Sequence, residues 1–124
     1  MIYGIGIDLI KIRRMKEAVD KWGKRFLDKI FTEDEVAYCY EKKEPYLSLA
    51  VRFAAKEALF KASNIFASFS EIEILNEKSG KPFIGFRKDL LTESFKSKSL
   101  LVHVTISHER SHAIATVILE RNVE

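Results

Sequence analysis

The stretch from Leu47 to Ser63 limits the possible folds more than any other. It reads Leu-Ser-Leu-Ala-Val-Arg-Phe-Ala-Ala-Lys-Glu-Ala-Leu-Phe-Lys-Ala-Ser. Alanine, leucine, lysine and glutamate dominate it, and all are strong helix formers. No glycine or proline interrupts it, and Pro45 stands just upstream, where a helix can begin. Apolar residues occupy most of the circumference, so the pattern predicts a central helix covered on several sides. Four charges remain: Arg52, Lys56, Glu57 and Lys61. Glu57 and Lys61 share one face, and Arg52 and Lys56 another. Ala50, Ala54 and Ala58 flank the Glu57 face and let other backbone come close. Burying charge is costly. Two readings follow: an ordinary i,i+4 ion pair, contributing about 0.3–0.5 kcal/mol at a surface, or an active-site face.

At 124 residues the chain is expected to form one domain spanning 1–124. Its single cysteine, Cys39, excludes an intrachain disulfide and is expected to pack as a small apolar residue. Three scattered histidines and one cysteine argue against a zinc site. There is no secretory leader pattern and no run near the ~20 apolar residues of a membrane span. The expectation is a soluble, cytoplasmic protein. Net charge is only +3, but residues 11–29 carry eight cations against Glu17, Asp20 and Asp28. That local excess suits an acidic partner, with plain solvation as the alternative.

Residues 2–7 alternate, with Tyr3, Ile5 and Ile7 on one side and Ile2, Gly4 and Gly6 on the other, which predicts a strand. Two glycines on one face predict close packing there. The strand is read as ending in Asp8, for which a helix N-cap is the plain role. Met15, Ala18, Val19 and Trp22 form a helical apolar stripe, Gly23 a stop, and Lys24–Ile30 a second short helix. Thr32 and Glu35 form a capping box that starts a helix to about Glu41. A polar linker, 42–45, leads into the central helix, and residues 64–70 read as a loop. Strands are expected at 71–75 and 82–86, with Gly80 in positive φ between them. Residues 88–97 read as a short helix or loop. Leu100–Ile106 and Ala113–Leu119 form a hairpin around Ser107–His112. The fold class is α+β: an antiparallel sheet against a long central helix and short N-terminal helices.

Asp8 and Glu57 lie far apart in the sequence, yet they meet if the first strand packs on the central helix. Two carboxylates with room for water and substrate oxygens suit Mg2+, a hard ion that takes one or two carboxylates plus phosphate oxygens. Lys61, one turn from Glu57, brings positive charge to the same phosphate. These are parts for phosphoryl or phosphodiester chemistry. No Gly-x4-Gly-Lys-Ser/Thr loop is present.

Gly4-Ile5-Gly6-Ile7-Asp8, Phe31-Thr32-x-x-Glu35 and above all Arg52-Phe53-Ala54-Ala55-Lys56-Glu57-Ala58-Leu59-Phe60-Lys61-Ala62 resemble the holo-acyl-carrier-protein synthases. These are short bacterial 4′-phosphopantetheinyl transferases. Ser79-Gly80-Lys81-Pro82 and Ile106-Ser107-His108 match later landmarks in the right order. The resemblance implies transfer of phosphopantetheine from coenzyme A to a serine of apo acyl carrier protein, releasing adenosine 3′,5′-bisphosphate. It implies that Asp8 and Glu57 hold Mg2+, and that Glu57, directly or through a water, helps deprotonate the serine. Lys61 stabilises the pyrophosphate. Arg52, Lys81, Pro82, Ser107 and His108 line the nucleotide part of the site, and Arg14, Lys21 and Arg25 dock the carrier. A homotrimer with sites between subunits is also implied, without nucleic acid or membrane as partner. The chain departs from the family in having no glycine in the loop after Lys61, where Asn64 stands as a residue tolerant of left-handed backbone. Two other readings are a metal-dependent hydrolase of coenzyme A or nucleotides, with the same three residues and water as acceptor, and a nucleic-acid-binding module on the basic helices. The second lacks an aromatic-interleaved basic stripe.

Overall fold

The structure is a computed structural model that describes residues 1–65 and 67–122. In order the elements are β1 (Ile2–Lys11), α1 (Ile12–Ile30), α2 (Glu33–Tyr40), α3 (Pro45–Ser63), a 3-10 turn (Phe69–Glu71), β2 (Ile72–Asn76), β3 (Pro82–Phe86), α4 (Asp89–Ser97), β4 (Leu100–His108) and β5 (His112–Arg121). The α+β expectation holds, with the strands divided between two antiparallel sheets. One has the order β1-β5-β4 and the other pairs β2 with β3. Among the described residues no helix is long and apolar enough to cross a membrane.

The alternation of β5 explains why the larger sheet needs α3. Ala113, Ala115, Val117 and Leu119 are all buried on one face and form one wall of the core. α3 lies along that face, against β1, β5 and β4. Small residues set the spacing. A Cβ added at Gly4 would sit 1.9 Å from the Ala62 carbonyl oxygen, and one at Gly6 1.9 Å from that of Ala58. The two glycines of β1 and the alanines of α3 therefore let strand and helix backbones touch. On the other sides of α3 lie α1, α2 and β2, with Met15, Phe31, Cys39 and Leu49 forming a second apolar cluster.

Among the described residues Lys56 is the largest fully buried side chain. Its ammonium uses three donors in three directions, to the Ile30 carbonyl (2.7 Å), the Glu35 carboxylate (2.6 Å) and the Phe69 carbonyl (3.0 Å). Glu35 does more than close the capping box with Thr32. Its Oε2 also accepts from the Ile74 backbone N–H at 2.9 Å, and its Oε1 accepts from the Thr32 N–H. One buried ion pair thus joins α1, α2, α3, the 3-10 turn and β2. Burial pulls the Lys56 pKa down, and Glu35 partly restores it.

Several sequence boundaries move. β1 does not stop at Asp8 but runs to Lys11, because its ladder with β5 continues to the Lys11–His112 pair. Asp8 is therefore a mid-strand residue and caps nothing. Helix α3 starts at Pro45, inside the expected linker. Ser107, His108 and His112 belong to strands, which leaves only 109–111 in the turn. Gly23 does break α1, with φ 58° and ψ −142°, and Gly80 has φ 95°. Trp22 leaves its expected apolar stripe: it is 58% exposed, with the Lys21 ammonium 4.9 Å from its ring centre. Cys39 is fully buried.

Lys56→Met leaves Glu35 buried without its counter-charge, so it is expected to destabilise the fold by about 3–5 kcal/mol in urea denaturation. Adding Glu35→Gln is expected to recover part of that loss. Gly6→Ala drives a methyl into the Ala58 carbonyl and is expected to cost about 1–3 kcal/mol by the same measurement.

Candidate active site

On the helix-facing side of β1, Asp8 follows Gly4 and Gly6 at two-residue spacing, so the close contact that begins at the glycines carries Asp8 to α3. Lys61 meets it there. Its ammonium donates to the Ile7 carbonyl at 2.9 Å and lies 3.3 Å from the Asp8 carboxylate. The Asp8 side chain is 17% exposed and that of Lys61 52%. The i,i+4 ion pair with Glu57 is thus replaced by a bridge from helix to strand. Glu57, one turn earlier, is partly buried. Its carboxyl is held above the ordinary carboxylate range, first by burial and then by the Asp8 charge, with Lys61 opposing. Two acids from distant segments therefore share one field, beside an ammonium that reaches solvent.

Arg52 occupies a second position, one and a half turns earlier on α3. Its guanidinium is buried, donating to the Ser48 carbonyl and hydroxyl (3.2 and 3.0 Å) and to Asn76 Oδ1 (2.8 Å). It stacks on Tyr38 at 4.5 Å, and its Nε has no partner among the described residues. Asn76 in turn donates to the Gly80 carbonyl at 3.0 Å, so Arg52 braces the turn that presents Lys81 and Pro82. Ser107 and His108 end β4, both exposed. His108 lines an open cavity of about 800 Å³ with Arg13, Lys16, Lys43, Tyr46 and Arg110. Asp8, Glu57 and Lys61 do not border it. Within one chain, the acids and His108 thus belong to separate surfaces.

On α1, Arg13, Lys16 and Lys24 are each paired i,i+4, with Glu17, Asp20 and Asp28. Arg14, Lys21 and Arg25 are exposed and make no ion pair among the described residues. Asn64 ends α3 in the left-handed region, φ 56° and ψ 25°, as a residue standing for a glycine must. Phe66, in the loop that follows, lies outside the described residues. Sequence reasoning missed the roles of Tyr38 and Asn76 in holding Arg52. It also missed Glu35 as the partner of Lys56; a lysine set in an apolar helix was the available signal for a buried acid elsewhere.

The coupling of the two acids has a measurable sign. Asp8→Asn removes a negative neighbour and is expected to lower the Glu57 pKa towards the ordinary carboxylate value. Lys61→Met is expected to raise it further. Carboxyl ¹³C NMR titration in metal-free buffer checks both directions, and a Glu57 midpoint indifferent to Asp8→Asn contradicts the shared field.

The sequence profile of the 4′-phosphopantetheinyl transferase superfamily matches residues 4–117. A holo-(acyl-carrier-protein) synthase of Halothermothrix orenii is 44% identical, over 97% of this chain and 98% of its own. The crystal structure of the holo-(acyl-carrier-protein) synthase of Neisseria meningitidis superposes with a TM-score of 0.89 at 32% identity, covering 98% of this chain and 100% of that one. That of the Bacillus anthracis enzyme, in complex with coenzyme A (3′,5′-ADP), gives 0.80 at 35% identity, covering 98% and 99%. With the β1–α3 acids, the Lys61 bridge and this full-length likeness together, the chain belongs to the holo-(acyl-carrier-protein) synthase family of the 4′-phosphopantetheinyl transferase superfamily.

Proposed function

We propose that this enzyme transfers 4′-phosphopantetheine from coenzyme A to a serine of apo acyl carrier protein, using Asp8, Glu57 and Lys61. The observation that carries the residue assignment is the convergence of the two acids and the lysine where β1 crosses α3. The donor set fits a hard divalent ion: two carboxylate groups, one partly buried beside the other's charge, with the Lys61 ammonium next to them. Asp8 and Glu57 would hold Mg2+, which when bound neutralises charge on a diphosphate.

The chain's own residues supply the rest. Glu57, directly or through a water, accepts the proton of the carrier serine. The serine oxygen forms a bond to the phosphorus next to the pantetheine arm. The bond from that phosphorus to the bridging oxygen breaks, and adenosine 3′,5′-bisphosphate leaves. Lys61 places its ammonium where negative charge gathers on that leaving phosphate. Arg52, Lys81, Pro82, Ser107 and His108 bind the nucleotide end of coenzyme A. Arg14, Lys21 and Arg25, cations without ion-pair partners among the described residues, meet the acidic carrier.

The active form is proposed to be a homotrimer with sites between subunits. The outer face of the larger sheet supports this. Tyr3, Ile5, Ile7 and Leu9 of β1 are 39, 59, 53 and 62% exposed, and they continue across the register into Ile118 and Ile114. Such a contiguous apolar face is unusual on a monomer. In this reading a neighbouring copy would bring its His108 to the acids of the first, which do not share a cavity with it in one chain. The same reading assigns the enzyme to the cytoplasm and to fatty acid biosynthesis, where carrier proteins receive their arm.

With apo carrier and coenzyme A, mass spectrometry is expected to show a gain of one phosphopantetheine on the carrier, stopped by EDTA and restored by Mg2+. Glu57→Gln is expected to lower kcat about 10²-fold or more with the fold intact by circular dichroism. Cleavage of coenzyme A without a carrier supports the hydrolase reading instead. Ile5→Lys is expected to give a monomer by light scattering and to lose activity with assembly; a trimer that survives it contradicts the proposed interface.

A further inference from the structure

The tip of the β4–β5 hairpin is held in an unusual way. The Glu109 side chain folds back into its own turn, and a single oxygen, Oε1, accepts from the Ser111 N–H (2.9 Å), the Ser111 hydroxyl (2.8 Å) and His112 Nδ1 (2.9 Å). The backbone closes the same turn, with the Glu109 N–H donating to the His112 carbonyl at 3.0 Å. The Ser111 carbonyl then accepts from the N–H of Ile12, the first residue of α1, at 2.9 Å. The turn is thereby tied to the start of the basic helix. These bonds, chiefly those from the Ser111 hydroxyl and His112, push the Glu109 pKa down to about 2. His108 and Arg110 flank Glu109 on either side, and both border the cavity shared with Lys16, Lys43 and Tyr46.

We propose that Glu109 is a positioning residue for coenzyme A: its folded-back carboxylate fixes the three-residue turn, and so directs His108 and Arg110 into the cavity beneath. This rests on the reading that His108 binds the nucleotide end of coenzyme A. The geometry favours positioning over electrostatics. Glu109 lines the cavity, as does Glu44; a carboxylate there repels a polyanionic ligand, so the folded-back geometry of Glu109 calls for another reason. Three bonds to one oxygen within four residues supply it. They satisfy the Ser111 N–H and remove the freedom of the turn before any ligand arrives, which is the advantage of a preorganised site.

The two roles predict opposite signs. If Glu109 positions the turn, Glu109→Ala raises the KM for coenzyme A about fivefold or more, leaving kcat and the carrier KM within about twofold. Glu109→Asp, which still reaches the Ser111 N–H as an Asx turn does, restores the coenzyme A KM to within about twofold of the parent. A purely electrostatic Glu109 gives a lower KM for coenzyme A in the alanine variant. An unchanged or lower KM, an equal loss for both substrates, or failure of aspartate to rescue overturns the proposal. His108→Ala, assayed in parallel, tests the underlying reading by itself. If it leaves the coenzyme A KM unchanged, His108 is not a nucleotide contact, whatever the Glu109 variants do.

Discussion

The backbone contact between β1 and α3 is the constraint on which the rest depends. A strand normally stands off a helix by the length of its side chains. Here Gly4 and Gly6 have none, and the carbonyls of Ala58 and Ala62 fill the space that a methyl would need. The consequence is chemical as well as mechanical. Asp8 is carried by the same face of the same strand, so it arrives beside α3 near Glu57 and Lys61. A larger residue at either glycine pushes the strand away and separates the acids. The small residues therefore set the separation of two charged groups that belong to distant parts of the sequence.

A second fixed point keeps α3 from turning about its own axis. Lys56 directly precedes Glu57, and its ammonium is fastened to three segments in the interior. Buried ion pairs contribute little net stability compared with apolar packing, but they are intolerant of misalignment. The pair of Glu35 with Lys56 accordingly sets the rotation of the helix, while the glycines set its distance from the sheet. Together they leave Glu57 and Lys61 facing the edge strand of the sheet. On the opposite, outer face of that sheet the β1 residues Tyr3, Ile5, Ile7 and Leu9 are apolar and exposed, and in our reading they join copies so that separate surfaces become one site.

Local chemistry was legible in the sequence. Thr32 and Glu35 form their capping box, Gly23 and Gly80 take the backbone their positions require, and Asn64 adopts the left-handed turn in place of a glycine. The central helix and the packing role of Gly4 and Gly6 were legible too, because residue size and periodicity encode them directly. Partnerships across long separations were not. Glu35 satisfied its local role so well that its own pattern did not single it out as the acid for Lys56, 21 residues on. Strand β1 runs three residues beyond Asp8, the end its pattern predicts, because its end is set by β5, at the far end of the chain. Trp22 fitted a helical stripe by spacing, but the core does not extend to it. The separation of His108 from the acids had no local signal either, since it follows from where β4 and β1 lie in the fold and not from neighbouring residues.

The most direct test of the account is the position of a divalent ion in crystals grown with Mn2+ and coenzyme A. An anomalous difference map is predicted to place one ion between the Asp8 and Glu57 carboxylates, in contact with the diphosphate. An ion bound by other residues, or a diphosphate seated away from β1 and α3, contradicts the central claim that these two acids grip it together.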